Sequence, residues 1–176
     1  MQGEITIRRE VPEDRTSVHK VNSLAFTAAF GQAGEADLVD ALREEARPYI
    51  SLVALLDGRI VGHIFFSPVT IEGEDSRFTA MGLAPMAVLP EHQGRGIGSR
   101  LVRQGLEECL RDGHNVVVVL GHPDYYPRFG FEPAAPKGIR SEYDVTDDKF
   151  MVAELEPGAL ANRKGIVKYH AAFARF

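Results

Sequence analysis

Residues Leu83–Leu89 are apolar at every position, as a strand buried on both faces of a sheet must be, and Val116–Leu120 repeats the pattern. Between them Leu101, Val102, Leu106, Cys109 and Leu110 recur at helical spacing, which predicts a helix from about Gly98 that stops near Gly113. Because a helix connects the two strands, Val116–Leu120 should run parallel to Leu83–Leu89. Pro85 cannot donate to a ladder, so a bulge or a local loss of pairing is expected there. Upstream, Ile5 and Ile7 alternate with Thr6 and Arg8 as in a first strand, and Pro12-Glu13-Asp14 reads as the first turn of a helix. Val18, Val21, Leu24, Ala25 and Ala28 continue that helix; a break at Gly31 to Gly34 precedes a second one carrying Leu38, Val39 and Leu42. Ser51–Leu56, Asp57-Gly58 and Arg59–Ser67 predict a hairpin. Two last strands are expected at Phe150–Leu155 and Gly165–Phe173, split by Pro157-Gly158. With no repeat, linker or low-complexity segment, residues 1–176 read as one mixed α/β domain.

The junction between the apolar strand and the helix, Gln93-Gly94-Arg95-Gly96-Ile97-Gly98-Ser99, is where chemistry enters. Glycines let the backbone turn sharply and approach an anion closely, and a helix start presents free N–H groups with the favourable end of the helix dipole. A pyrophosphate suits such a loop. The dinucleotide pattern G-x-G-x-x-G fails, because the third glycine comes one residue early and no acidic residue follows in place. A P-loop fails too, since Ser99-Arg100 stands where lysine and a hydroxyl residue are needed.

Composition narrows the classes. The 176 residues, 44% hydrophobic and 26% charged, suffice for a core without staples. A net charge of −5 argues against general affinity for nucleic acid or an anionic membrane, and mildly favours a cationic or amine substrate. The one cysteine, Cys109, excludes an internal disulfide and lies on the apolar stripe, so it reads as a packing thiol. The first residues, Met1 to Ile7, hold no apolar signal core, no run is long enough to span a bilayer, and a cytoplasmic protein is expected. The six histidines show no paired spacing, so no metal is expected. His63 reads as a core residue in preference to a pocket residue.

The spacing Gln93-x-x-Gly96-x-Gly98 after an apolar strand resembles the coenzyme A loop of the GNAT superfamily of N-acetyltransferases. Tyr126-Pro-Arg-Phe-Gly-Phe131 resembles that family's Y-x-x-x-G-F segment, and the two occur in the family's order. The resemblance is close over roughly residues 50–133 and covers the rest by layout; it is strongest to bacterial acetyltransferases of unknown acceptor. It implies an acyl-CoA N-acyltransferase fold: a twisted, mixed, mostly antiparallel sheet flanked by helices. It also implies acetyl-CoA as cosubstrate and direct attack by a primary amine of a small molecule or protein.

Carried over residue by residue, amides from Gly94 through Arg95, Gly96, Ile97 and Gly98 to Ser99 would hold the pyrophosphate beside Gln93. Met86, Ala87 and Val88 would line the pantetheine arm, with an amide near Val88 polarising the thioester carbonyl. Tyr126 would protonate the departing thiolate; Tyr125 is its competitor, and spacing to Gly130-Phe131 favours Tyr126. Pro127 departs from the commoner family sequence. Phe129 and Phe131 read as packing residues. For the base, His122, Asp124 and Glu35 are candidates, and a water relay is preferred. Arg95, Arg100 and Arg103 would face phosphates at the mouth of the site, with a solvated helix face the alternative for Arg100 and Arg103. Phe26, Phe30 and Glu35 are the expected acceptor wall. The last strand would offer an edge for a homodimer. The rival reading is a non-catalytic acyl-CoA sensor or dimer platform of the same fold, and a larger acyl donor is a further alternative.

Overall fold

A computed structural model describes residues 3–32 and 34–176. Ala33, inside the predicted break, and Met1 and Gln2, at the start of the segment read for a signal core, lie outside the described residues. The elements run β1 (Ile5–Arg9), α1 (Arg15–Phe30), α2 (Gly34–Glu45), β2 (Ile50–Leu56), β3 (Arg59–Glu72), β4 (Arg77–Val88), α3 (Ile97–Arg111), β5 (Val116–Leu120), β6 (Glu132–Pro133), β7 (Ile139–Ser141), β8 (Phe150–Glu154) and β9 (Gly165–Lys168). The sheet order is β1-β2-β3-β4-β5-β8-β6, with β9 pairing both β3 and β7. All pairs are antiparallel except β4–β5 and β7–β9. No helix among the described residues is long and apolar enough to cross a membrane.

Local chemistry accounts for several of these boundaries. Asp57 and Gly58, at φ 50° and 78°, make the tight turn between β2 and β3 that the Asp-Gly pair favours. Pro12–Asp14 form a separate 3-10 turn, and α1 starts only at Arg15. Gly31 ends α1 at φ 72°, its N–H donating to the Thr27 carbonyl at 2.9 Å. β4 begins six residues before the predicted strand and pairs with β3 along its length, although its start, Arg77-Phe78-Thr79, is too polar to reveal it.

Two layers cover the sheet. On one face α3 lays Ile97, Leu101, Val102 and Leu106 over Ile64, Phe66, Leu83, Val117 and Val119. Gly105 lets this helix sit on the Phe66 ring, which a Cβ there would penetrate. Leu110, predicted on the stripe, is 41% exposed; Glu108 is buried instead, held by Arg9 at 2.8 Å and Arg111 at 2.7 Å. On the other face α1 and α2 cover Val53 and Phe65, and Val21 and Ala25 pack on Ala87. Ile139 of β7, Val167 of β9 and Leu160 form a further cluster with Val69, Val116 and Val118.

The stripe of α1 is rotated from the predicted one. Val18, Val21, Asn22 and Ala25 point inward, while Leu24 is 45% exposed. Asn22 earns its inward place by hydrogen bonding. Its Nδ2 donates to the Val18 carbonyl at 3.0 Å and lies 3.0 Å from His63 Nδ1, while His63 Nε2 lies 2.8 Å from Ser51 Oγ. A donor on Nδ1 fixes the imidazole as the Nε2–H tautomer, which donates to Ser51. His63 is thus a core residue, as expected. Burial, with Arg43 nearby as the second cause, lowers its pKa from 6.5 to about 3. Arg43 is itself buried and ties α2 to the end of β1 through Glu10 at 2.6 Å.

The expected dimer edge is overturned. The predicted strand Gly165–Phe173 ends at Lys168 and is flanked by β3 and β7, so its main-chain groups are already paired. Residues Ala171–Ala174 form a 3-10 turn, with the Ala172 N–H capped by His170 Nδ1 at 3.0 Å.

Two measurements test this packing. Gly105→Ala should raise helix propensity by about 1 kcal/mol yet lower net stability by about 1–3 kcal/mol through collision with Phe66, read as a lower urea midpoint at unchanged m. The second concerns His63, whose pKa is lowered on folding, so the stability it contributes is complete above about pH 6.5 and lost as pH falls toward 3. Unfolding free energy should therefore drop by about 1 kcal/mol per pH unit from about pH 6.5 to about pH 5, before carboxylates titrate, and His63→Gln should flatten that slope.

Candidate active site

β4 and β5 pair only through Met81–Leu83 and Val117–Val119, and beyond Leu83 they diverge. Ile64 pairs with Met86 and Phe66 with Leu83, so Ala84 and Pro85 together stand opposite Phe65. This bulge, at the position Pro85 predicts, breaks the regular β3–β4 ladder just where pairing with β5 ends.

The ladder then fixes which groups face the gap. The Leu89 N–H donates to the Val61 carbonyl at 2.9 Å, so Leu89 faces β3, and by alternation so does Ala87. Met86 and Val88 therefore turn their N–H and C=O groups into the fork. Gln93 Nε2 reaches in from that side to the Val88 carbonyl at 3.0 Å, which agrees with this alternation. Gln93 thus ties the loop to the strand. The expectation that Ala87 lines the fork fails: its backbone faces β3, and its side chain, 3% exposed, packs on Val21 and Ala25.

At the end of the fork the glycine loop closes a cleft of about 350 Å³. Gly94 and Gly96 take φ values of 76° and 79°, conformations that side chains disfavour. Gly96 is the N-cap of α3 and supplies no side chain to it. The first helical bond runs from the Arg100 N–H to the Gly96 carbonyl at 3.1 Å, and no amide from Gly94 to Ser99 has a backbone acceptor among the described residues. Six successive N–H groups are thus available at the positive end of a helix of 15 residues. Gly98 has an ordinary helical φ; its lack of a Cβ matters because the Tyr125 hydroxyl would lie 3.2 Å from one. The Ile97 side chain is buried in the core, so only its amide serves the loop. Arg95 is exposed, with Nη1 3.5 Å from His92 Nδ1.

The two tyrosines sit differently. Tyr126 begins a 3-10 turn, Tyr126–Phe129, which accommodates Pro127 in its first turn and ends at Gly130, φ 94°. Its ring packs on Gly121 at the end of β5 and edge-on to Phe131 at 5.6 Å. Burial, with Tyr125 adding to it, pushes its pKa up to about 12. Its hydroxyl has no hydrogen-bond partner among the described residues. Tyr125 instead lines the cleft, its hydroxyl 3.2 Å from Ser99 Oγ. Phe129 is partly buried and Phe131 is 1% exposed, both packing residues.

The remaining candidates scatter. Arg100 is exposed, and Arg103 lies over the Phe129 ring at 5.1 Å. His122 and Asp124 are exposed in the loop after β5. Phe26 packs beside the Ala87 cluster and stacks on Phe30 at 6.0 Å, while Phe30 itself is 70% exposed. Glu35 lies in the first turn of α2. Cys109 is fully buried and its thiol is pushed up to about 12, which suits packing and not nucleophilic attack. Among the described residues, converging metal-ligand atoms occur only at His19, Asp37 and Asp40, joined across α1 and α2 where no sequence spacing could show it. Sequence reasoning did not assign Tyr125, Arg128 and His92 to the cleft; their place beside the two motifs was the available signal.

The chain is similar to known proteins. The family described as an acetyltransferase (GNAT) domain matches residues 7–134. The chain is 48% identical over 125 residues to the uncharacterized N-acetyltransferase YjhQ of Escherichia coli K12, covering 69% of each. It is 38% identical over 171 residues to the uncharacterized N-acetyltransferase YhbS of the same strain, covering 97% of this chain and 99% of YhbS. The crystal structure of Escherichia coli YhbS in complex with CoA superposes with TM-score 0.88 at 36% identity, covering 100% of this chain and 95% of that one. A GNAT family acetyltransferase from Brucella melitensis in complex with acetyl-CoA superposes with TM-score 0.79 at 38% identity, covering 97% and 99%.

Proposed function

The chain belongs to the GNAT acetyltransferases, and on that premise we propose that it transfers an acetyl group from acetyl-CoA to a primary amine by direct attack. One observation carries the reading: the outward main-chain groups of Met86 and Val88 and the six amides from Gly94 to Ser99 lie along one continuous fork and cleft. The two structures superposed above, one in complex with CoA and one with acetyl-CoA, support it.

Acetyl-CoA supplies an activated acetyl thioester and a thiolate leaving group. The amides from Gly94 to Ser99 receive its diphosphate, where the helix dipole and fixed N–H donors favour negative charge. Met86 and Val88 pair with the extended arm as an added strand would. The Val88 N–H, unpaired and aimed into the fork, donates to the carbonyl oxygen and stabilises the charge that develops there. Tyr126, protonated at neutral pH as an ordinary tyrosine is, and the more so because burial pushes its pKa up to about 12, donates a proton to the departing thiolate. The ammonium loses its proton through water, since β5, Val116–Leu120, carries no carboxylate to act as a strand base. Cys109 is sealed in the core, which leaves no thiol for a covalent acetyl-enzyme.

Coenzyme A release should be measured with purified protein, acetyl-CoA and a panel of amines. On a responsive amine Tyr126→Phe should lower kcat by about 10²-fold or more, with the affinity for acetyl-CoA changed little. Tight binding of acetyl-CoA without turnover of any amine would instead favour a non-catalytic sensor.

A further inference from the structure

We propose that Tyr125 and Arg128 form a side-chain clamp that grips a phosphate group of the carrier opposite the amide cradle. The inference rests on the reading that this cleft holds coenzyme A, and it assigns the wall that the glycine loop leaves open. Three observations converge. The Tyr125 hydroxyl sits above Gly98, 3.2 Å from where a Cβ would stand, and so projects over the cradle itself. It lies 3.2 Å from Ser99 Oγ. Two hydroxyls that share one hydrogen bond keep one O–H free to donate, and an anion on the neighbouring amides is the acceptor within reach. Finally, the Arg128 guanidinium lies 4.8 Å from the centre of the Tyr125 ring, lines the same cleft, is exposed and makes no ion pair among the described residues. The ring holds the cation at the mouth without neutralising it.

The pair also separates the roles of adjacent tyrosines. The Tyr126 ring packs on Gly121 at the β5 limb of the fork, whereas Tyr125 is turned to the loop and stands edge-on to Tyr126 at 5.1 Å. Tyr125 is therefore the binding group of the two. The diphosphate and the 3′-phosphate of coenzyme A offer Arg128 the same chemistry, and the two can be told apart by removing one.

The test is calorimetric affinity for CoA and for 3′-dephospho-CoA at low and high salt, which needs no acceptor. Tyr125→Phe should raise the Kd about two- to ten-fold, with little dependence on salt, as expected for one neutral donor. Arg128→Ala should raise it about ten-fold at low salt and less at high salt, because an exposed charge is screened. Arg128→Lys should recover part of that loss. Arg163→Ala, which removes a guanidinium lying 4.8 Å over the Phe78 ring elsewhere, should leave the Kd unchanged. An Arg128→Ala penalty that vanishes with 3′-dephospho-CoA places the contact on the 3′-phosphate; one that persists places it on the diphosphate. Parental Kd values for both Tyr125→Phe and Arg128→Ala at low salt overturn the clamp. Absence of CoA binding by the parent protein would instead overturn the reading of the cleft on which the clamp rests.

Discussion

Beyond Leu83, β4 has β3 on one side and no strand on the other. Unpaired main-chain groups within a fold are costly unless water or a ligand meets them, so a strand is rarely left half-paired in the middle of a sheet. Here the half-pairing begins where two residues, Ala84 and Pro85, are set against one, Phe65. The bulge falls where pairing with β5 ends, and the alternation of the remaining ladder turns Met86 and Val88 into the opening. The glycine loop continues the same theme, since a helix start capped by a glycine leaves its first amides unsatisfied. Fork and loop together leave a run of main-chain groups without strand or helix partners, and it is on this run that the proposed acetyl-CoA site rests.

The rest of the molecule keeps that strip rigid. α3 is pressed on the sheet through Gly105 and Phe66, so the helix that presents the amides cannot shift without opening the core. On the opposite face, α1 is held by the Asn22–His63–Ser51 chain and α2 by Arg43 and Glu10. These polar contacts are buried, where a lost partner strands a charge or a donor at a cost of several kcal/mol, so they fix the helices in one position more firmly than apolar packing alone would. A neutral, buried His63 serves this purpose because its depressed pKa keeps it uncharged throughout the physiological range.

Much of this was legible in the chain before any coordinates. The apolar runs at Leu83–Leu89 and Val116–Leu120, the stripe between them and the Asp57-Gly58 turn predicted the hairpin and the parallel crossover, because pleat and helix periods are local properties. Pro85 predicted the bulge, because a missing N–H is written into the residue. The two motifs, Gln93-x-x-Gly96-x-Gly98 and Tyr126 to Phe131, predicted the loop and its family. Less was visible where neighbours distant in sequence decide: Asn22 displacing Leu24 from the buried stripe of α1, and the early start of β4 across from β3.

The chain by itself determined the fold class, the position of the cradle and the residue types in it, since these depend on backbone chemistry and short-range spacing. Tertiary structure alone decided which side of β4 faces the fork, and so excluded Ala87 while admitting Met86 and Val88. It also decided that β9 lies between two strands and presents no edge, and that Tyr125 lines the cleft while the ring of Tyr126, its neighbour in sequence, packs on Gly121 at the β5 limb of the fork. The physical reason is the same in each case. Direction and partner depend on register between segments far apart in the chain, and a register is a property of two strands at once.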